Sequence, residues 1–295
     1  SRVGKDGDGG YCVYLQDNYD ILISGGISYD TSFEEQFLKK YNIKCEAFDG
    51  SVSKLPKPNN KISFNKLYIG DINNDNYTNL HDLIDKHNNI FLKMDIEGGE
   101  FPFFHSLNSN HMNKLKQIVL EIHYPTTPHR WEILDKLAET HYLIHIHGNN
   151  FQKKIAIKDI EKNNLKIKVG SSTTHTKTIE LSSKIPNYTV LTKHNHNNSS
   201  HEFNFKIQDN NLMVERIDKK IGWNYDLYVN VNTHYINKTN SNIQIPLVFE
   251  CTYVRKSDFD FEPELNTLAF PKTIDMANDA SRKDVILNYF PFVNK

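Results

Sequence analysis

Across residues 1–149, short apolar runs alternate with segments whose apolar residues recur at helical spacing, a pattern few architectures accommodate. Asp20-Ile21-Leu22-Ile23-Ser24 reads as a buried strand ending in Gly25-Gly26. Thr31 to Tyr41 follows as a helix with Phe33, Phe37, Leu38 and Tyr41 on one face. Cys45 to Asp49 and Lys61 to Ile69 are the next strands, the second ending in Gly70-Asp71. A helix around Leu80, Leu83, Ile84 and His87 leads to a strand over Ile90 to Asp95. A short helix from Gly99 to Leu107 leads to another strand over Gln117 to His123. Trp131, Leu134, Leu137 and Ala138 mark a helix before a sixth strand, Tyr142 to His147. Strand–helix alternation of this kind predicts an α/β fold, a mostly parallel sheet with helices on both faces.

The pattern changes after residue 150. Short alternating segments over 166–169, 178–181, 202–207, 212–217 and 226–231, separated by turn residues, predict a small antiparallel β module. The His-rich run 194–201 reads as a loop. Ile245 to Val254 then restores a buried strand, read as the seventh of the first sheet. The expected domains are 1–149 plus 245–295, with 150–244 inserted as a β-rich module. The sixth strand is expected to run parallel to the first five, so that the module leaves the sheet at its ligand-binding edge and serves as an acceptor-binding lid. Five phenylalanines in 255–295 predict a tail packed back on the core.

A net charge of -1 and no basic stripe argue against nucleic-acid partners, and no apolar run reaches the length of a membrane span. Three widely spaced cysteines, Cys12, Cys45 and Cys251, predict free thiols in a reducing compartment such as the cytoplasm. The opening Ser-Arg-Val-Gly, already inside a motif-like stretch, predicts one domain of a longer polypeptide. Nothing in the sequence fixes an oligomeric state.

In an open α/β sheet, ligands sit beyond the carboxyl ends of the strands. Here those ends carry Ser24-Gly25-Gly26, Asp49, Gly70-Asp71, Asp95-Ile96-Glu97, Glu121-Ile122-His123 and His147-Gly148-Asn149. Gly25 and Gly26 allow close backbone approach to a ligand. The loop lacks the G-x-G-x-x-G pattern of a pyrophosphate site. Asp49 suits a ribose, since a carboxylate accepts two hydroxyl donors.

Lys93-Met94-Asp95-Ile96-Glu97-Gly98-Gly99-Glu100 resembles the Lys-x-Asp-x-Glu-Gly-x-Glu block of the FkbM-like methyltransferase family. Arg2-Val3-Gly4 with Asp8-Gly9-Gly10-Tyr11 is similar to that family's opening segment. Ile23 to Ser28 with Phe33-Glu34 is similar to its cofactor loop and first helix, and Phe48-Asp49 to its second-strand acid. Leu120 to His123, His145 to Asn150 and Phe249 to Tyr253 continue the likeness in order, so that it spans about 1–150 and 245–260. One departure is Ser-Gly-Gly where many methyltransferases carry an acid-x-Gly-x-Gly loop.

The resemblance implies a Rossmann-like class I methyltransferase sheet of seven mostly parallel strands. It also implies S-adenosylmethionine as cofactor and methylation of a hydroxyl on a sugar or other small-molecule or glycan acceptor. The implied cofactor residues are Ser24, Gly25, Gly26, Ile27, Phe33, Glu34, Asp49, Gly70, Asp71 and Asp95. Glu97, Glu121 and Asn149 are candidates for the acceptor, as is Trp223 beside Tyr225 in the β module.

A sugar hydroxyl needs a base or a metal. His123 is the first candidate base, with Asp95 and His147 as alternatives; Asp95, Glu121 and His123 are instead a candidate Mg²⁺ set. Glu100 is expected to cap the helix it opens. Two other readings stay open: a nucleotide-sugar dehydrogenase on a Rossmann sheet, and a carbohydrate-binding or scaffold protein on a degenerate methyltransferase fold.

Overall fold

The computed structural model describes residues 1–125, 128–151, 154–156, 163–168, 172–180, 188–195, 203–208, 211–217, 227–233, 244–289 and 292–293. The chain forms two units, Ser1–Ile157 with Ile243–Lys295, and Lys158–Asn242.

The first unit is built on a seven-stranded, mainly parallel mixed sheet. Its strands are β1 (Ile21–Gly25), β2 (Lys44–Phe48), β3 (Ile62–Asn65), β4 (Ile90–Met94), β5 (Leu115–His123), β6 (His141–Gly148) and β7 (Val248–Arg255). They lie in the order β6-β7-β5-β4-β1-β2-β3. β1 to β5 pair parallel, whereas β7 runs antiparallel to both neighbours, β5 and β6. Two reversals restore direction, so β6 ends at the same edge as β1 to β5.

Every residue of β1 and β4 is buried, as strands covered on both faces require. Leu22, Cys45, Ala47, Phe91 and Val119 face one core with the N-terminal segment and α1 (Ser32–Tyr41). Ile23, Phe48, Leu92, Met94, Leu120 and Ile122 face the other. That second core is completed by α2 (His81–Asp85), α3 (Glu100–Ser106), α4 (Ser109–Lys114), α5 (Pro128–Thr140) and part of the tail. α1 has acids in its first turn and lysines in its last, complementing the helix dipole. It stops at Asn42, whose φ of 49° is the left-handed cap that Asn tolerates.

Three expectations change. The strand expected over Lys61 to Ile69 breaks after Asn65, where Leu67 N donates to Asn65 O. Tyr68–Ile69 pairs instead with Tyr77–Thr78 in a separate ladder. The last apolar run also divides: Gln244–Pro246 pairs with Lys154–Ala156, and β7 begins only at Val248. That ladder carries the first unit beyond the boundaries expected at 149 and 245. Of the tail, Phe270 and Leu287 are buried and bridge to each other, while Phe261 is exposed. His145 and His147 sit on a strand whose partner, β7, presents Thr252 and Glu250 opposite them.

The second unit contains two three-stranded antiparallel sheets. Tyr188–Asn195 and Asn163–Lys168 flank Leu227–Thr233 in one; Thr176–Glu180 and Phe203–Gln208 flank Asn211–Arg216 in the other. Leu212 and Val214 are buried there. Trp223, and the greater part of the His-rich run, lie outside the described residues. No described helix is long and apolar enough to cross a membrane.

Candidate active site

The strand order β3-β2-β1-β4-β5 reverses between β1 and β4, and such a switch point opens a crevice beyond the carboxyl ends. The loops after these two strands are tied together. Asp95 N donates to Gly25 O at 3.0 Å, and Gly26 N to Phe48 O at 3.0 Å. Lys93 Nζ, buried, donates to Gly26 O at 2.6 Å. Gly26 has φ of +74°, and a Cβ there would meet Asp95 O at 1.6 Å, so no other residue fits.

Around this clamp stands a cluster of acids with one histidine. Asp95 Oδ2 accepts from Tyr11 Oη at 2.9 Å. His123 Nε2 lies 3.6 Å from Asp95 Oδ1 and 3.5 Å from Glu97 Oε2. On the other side of the ring, Nδ1 faces Glu100 Oε1 at 3.3 Å, and the same oxygen accepts from His123 N at 2.8 Å. Glu100 Oε2 accepts from Gly98 N at 2.8 Å. Glu100 is therefore a fully buried brace between the turn after β4 and the end of β5, more than the simple helix cap expected. Glu97 and Gly98 both have positive φ (53° and 102°), so this turn holds a non-glycine residue in the left-handed region. The Asp95 and Glu97 side chains are 25% and 82% exposed, which leaves this face of the cluster open to a ligand.

Burial alone would depress the His123 pKa, but Glu100, Glu121 and Asp95 outweigh it and push it up to about 9. Burial, then repulsion from Asp95 and Glu250, pushes the Glu121 carboxyl up to about 8. Tyr11 is raised well above its ordinary value by burial and by Asp95, and stays a donor. The same carboxylates make the His123 ring hold its proton more tightly than a free imidazole does. Carboxylates on both sides of one imidazolium leave the cluster net negative, a complement for a cation and a barrier to phosphate.

The other expected residues divide. Asp49 is 9% exposed at the end of β2 and accepts from Ser28 N at 2.8 Å, Ser51 N at 2.8 Å and Ser51 Oγ at 2.6 Å. These bonds hold its carboxyl below the usual range against burial. They occupy most of its acceptor sites, so it organises the glycine loop first. Ser24 and Glu34 are buried and bonded to each other beneath that loop. Ile27 and Phe33 are core side chains at 2% exposure, Phe33 packing edge-on to Tyr11. Gly70 is buried with its N–H on Thr78 O, whereas Asp71 points to solvent. Among the described contacts, none of these seven residues hydrogen-bonds to Asp95, Glu97, Glu100, Glu121 or His123.

Glu121 accepts from Asn149 Nδ2 at 2.7 Å, placing both residues inside the site. His147 is held elsewhere: Nε2 meets Asp284 at 3.0 and 3.1 Å, and Nδ1 lies 3.7 Å from Glu250. Burial opposes protonation there, but Glu250 and Asp284 raise its pKa to about 9. It is 1% exposed and bonded to Asp284 rather than to the Asp95 cluster. Sequence reasoning missed Tyr11, Lys93 and Glu100 as site residues, although all three stand inside the motif blocks it singled out.

Asp95, Glu121 and His123 bring one donor atom each within 4.8 Å of one another. Glu100 on the far ring nitrogen of His123 is the support that a ligating imidazole ordinarily has. The set fits a divalent cation on donor chemistry, two hard oxygens and one nitrogen. Comparison of the chain with protein-family models, curated proteins and solved structures finds no match.

Proposed function

We propose that this chain is an S-adenosylmethionine-dependent O-methyltransferase acting on a hydroxyl of a sugar or glycoconjugate. The observation that carries the reading is the negative Asp95–Glu97–His123 cluster opening beside the glycine clamp at the β1/β4 switch point. A sulfonium is a cation without phosphate, so carboxylates at this position favour it, whereas a dinucleotide would place its pyrophosphate against them. The seven-stranded mainly parallel sheet is the architecture the methyltransferase resemblance implies. The antiparallel strands of the second unit are proposed as the inserted module.

The residues that fit the donor are the Gly25-Gly26 backbone, Ser28 and Asp49 at the loop, and Asp95 at the crevice. When bound, it supplies a methyl group activated for in-line displacement, a reaction limited chiefly by alignment. Asp95 is the proposed base for the acceptor's hydroxyl proton, with Tyr11 donating to one carboxylate oxygen and His123 Nε2 facing the other. Glu100 fixes the His123 ring so that its Nε2 faces the same space. A divalent ion on Asp95, Glu121 and His123 would lower the hydroxyl's pKa at that place.

Calorimetry with S-adenosylmethionine, its demethylated product and NAD tests the reading. Micromolar binding of the first two and none of the third is expected. Binding of NAD alone, or of none, overturns it. In a screen of sugars and nucleotide-sugars, Asp95→Asn should weaken donor binding and lose methyl incorporation, and chelator should slow turnover if the ion takes part.

A further inference from the structure

A second cluster lies apart from the proposed active site. Cys12 comes from the N-terminal segment, His145 from β6 and Asp275 from the tail, and their ligand atoms lie within 4.8 Å of one another. His145 Nε2 is 2.8 Å from Asp275 Oδ1, and Cys12 Sγ is 3.4 Å from the same oxygen. Tetrahedral zinc, with ligand bonds of about 2.0–2.3 Å, spaces its donors by roughly 3.3–3.6 Å. The observed separations are close to that.

One feature shows that hydrogen bonding alone does not account for this cluster. His145 Nε2 is buried and, despite its short approach to Asp275, has no hydrogen bond of acceptable geometry. A ring nitrogen misaligned on an anionic oxygen is unfavourable unless a cation joins them. The Asp275 side chain is 1% exposed, and among the described residues Cys12 Sγ and Lys272 N donate to it while His145 is its ion-pair contact.

Each candidate ligand is also held from behind. Asp275 Oδ2 accepts from Lys272 N at 2.6 Å, leaving Oδ1 for the cluster. The His145 ring stacks on Phe270 at 5.5 Å, and the Cys12 carbonyl accepts from Thr252 Oγ1 at 2.6 Å. Such supports orient metal ligands. A cleft lined by Cys12, His145, His147, Glu250 and Thr252 adjoins the three, and in it His147 Nδ1 is a second buried nitrogen without a hydrogen bond.

We propose that Cys12, His145 and Asp275 form a zinc site, with a fourth position opening into this cleft. Thiolate with imidazole selects zinc over the hard cations that suit the Asp95 cluster. Binding releases the thiol proton, Cys–SH and Zn²⁺ giving Cys–S–Zn and H⁺, so affinity rises with pH. The ion would pin the N-terminal segment and the tail to the edge of the sheet, across sequence separations of more than a hundred residues.

The test is titration of the whole chain with Co²⁺ followed by absorption, with Zn²⁺ as competitor. One equivalent should give a near-ultraviolet thiolate-to-cobalt band that Zn²⁺ displaces. The band should vanish in Cys12→Ser and Asp275→Asn and persist in Asp95→Asn. Cobalt bound without a thiolate band, or a band surviving in Cys12→Ser, overturns the proposal. Should the variants not fold, wild-type protein decides it by mass-spectrometric alkylation of Cys12. At zinc about a hundredfold above its dissociation constant, alkylation should slow about a hundredfold. Unchanged alkylation overturns the site.

Discussion

Replacing Glu100 by Gln removes one charge and almost no volume, and isolates what that carboxylate does. Its two oxygens accept from Gly98 N and His123 N at 2.8 Å each, and from His123 Nδ1 at 3.3 Å. A glutamine offers one acceptor oxygen and one donor nitrogen in the same place. Whichever way it turns, its NH₂ faces a backbone N–H, the buried one of His123 or the half-buried one of Gly98. An unsatisfied buried donor costs about 1–3 kcal/mol, and losing the charge-assisted part of the remaining bonds adds to it. The expected loss is about 2–4 kcal/mol in urea unfolding at unchanged m-value. The same change removes the carboxylate that does most to hold His123 up at about 9, so the ring's titration followed by NMR should shift toward the ordinary histidine range. Both readouts are needed, since a merely structural role would leave the titration alone. A stability loss below about 0.5 kcal/mol, typical of inert surface changes, with an unmoved His123 titration would refute the brace.

Gly26→Ala would place a methyl 1.6 Å from Asp95 O at φ of +74°, and strain with overpacking should cost about 3 kcal/mol or more in the same unfolding assay. Stability should fall as pH rises from about 6.5 to 9, above the range in which the lowered histidines His81, His105, His141 and His145 act in the opposite sense. His123 and His147, both raised to about 9, contribute fully below the unfolded histidine value and lose that contribution as pH passes through 9. Glu121, raised to about 8, binds its proton more tightly folded than unfolded, so its effect runs the same way between pH 4.5 and 8. Melting temperatures across this window check the slope, and saturating Mg²⁺ should flatten it if the ion takes Asp95, Glu121 and His123. Asp284→Asn should cost about 1–2 kcal/mol at pH 6, with the difference from wild type vanishing by about pH 10 as His147 deprotonates in both proteins.

The strands that position the site were legible because both faces of the sheet are covered, which makes β1, β4 and β5 continuous apolar runs with polar residues only at their ends. The Lys93 to Glu100 block was legible as a motif, and its glycines and acids do meet at the switch point. The partners of those residues were not legible. Tyr11 reaches Asp95 across 84 positions and Asp284 reaches His147 across 137, and no local pattern encodes such distances. The break after Asn65 escaped because Leu67 and Ile69 preserve an apolar rhythm although the backbone turns between Asn65 and Leu67. The direction of His123 escaped for another reason. Strand-end position shows that a histidine is near the crevice, whereas its charge depends on Glu100, which arrives from a helix.

The register of the sheet explains why one end of its rim is suited to chemistry and the other is not. His147 pairs with Glu250, and Glu250 with Glu121 on β5; one step beyond Met94 and Leu120, Asp95 takes the next place in the same row. Three acids and a histidine thus lie side by side on four strands, facing the core that holds the N-terminal segment. At the β6 end the tail neutralises them, Asp284 on His147 and Asn278 Nδ2 on Glu250 at 3.0 Å. At the β4 end no tail residue intrudes among the described contacts, and Asp95 and Glu97 keep their exposure. The like charges of Glu121, Glu250 and Asp95 then raise Glu121 and leave the open end short of cations. A positively charged ligand entering there lowers that repulsion, while one entering at the sealed end would have to displace Asp284. On the proposed reading a cationic donor or ion would enter at the open end, toward the glycine clamp, and an Asp284→Asn protein should bind S-adenosylmethionine with unchanged affinity in calorimetry.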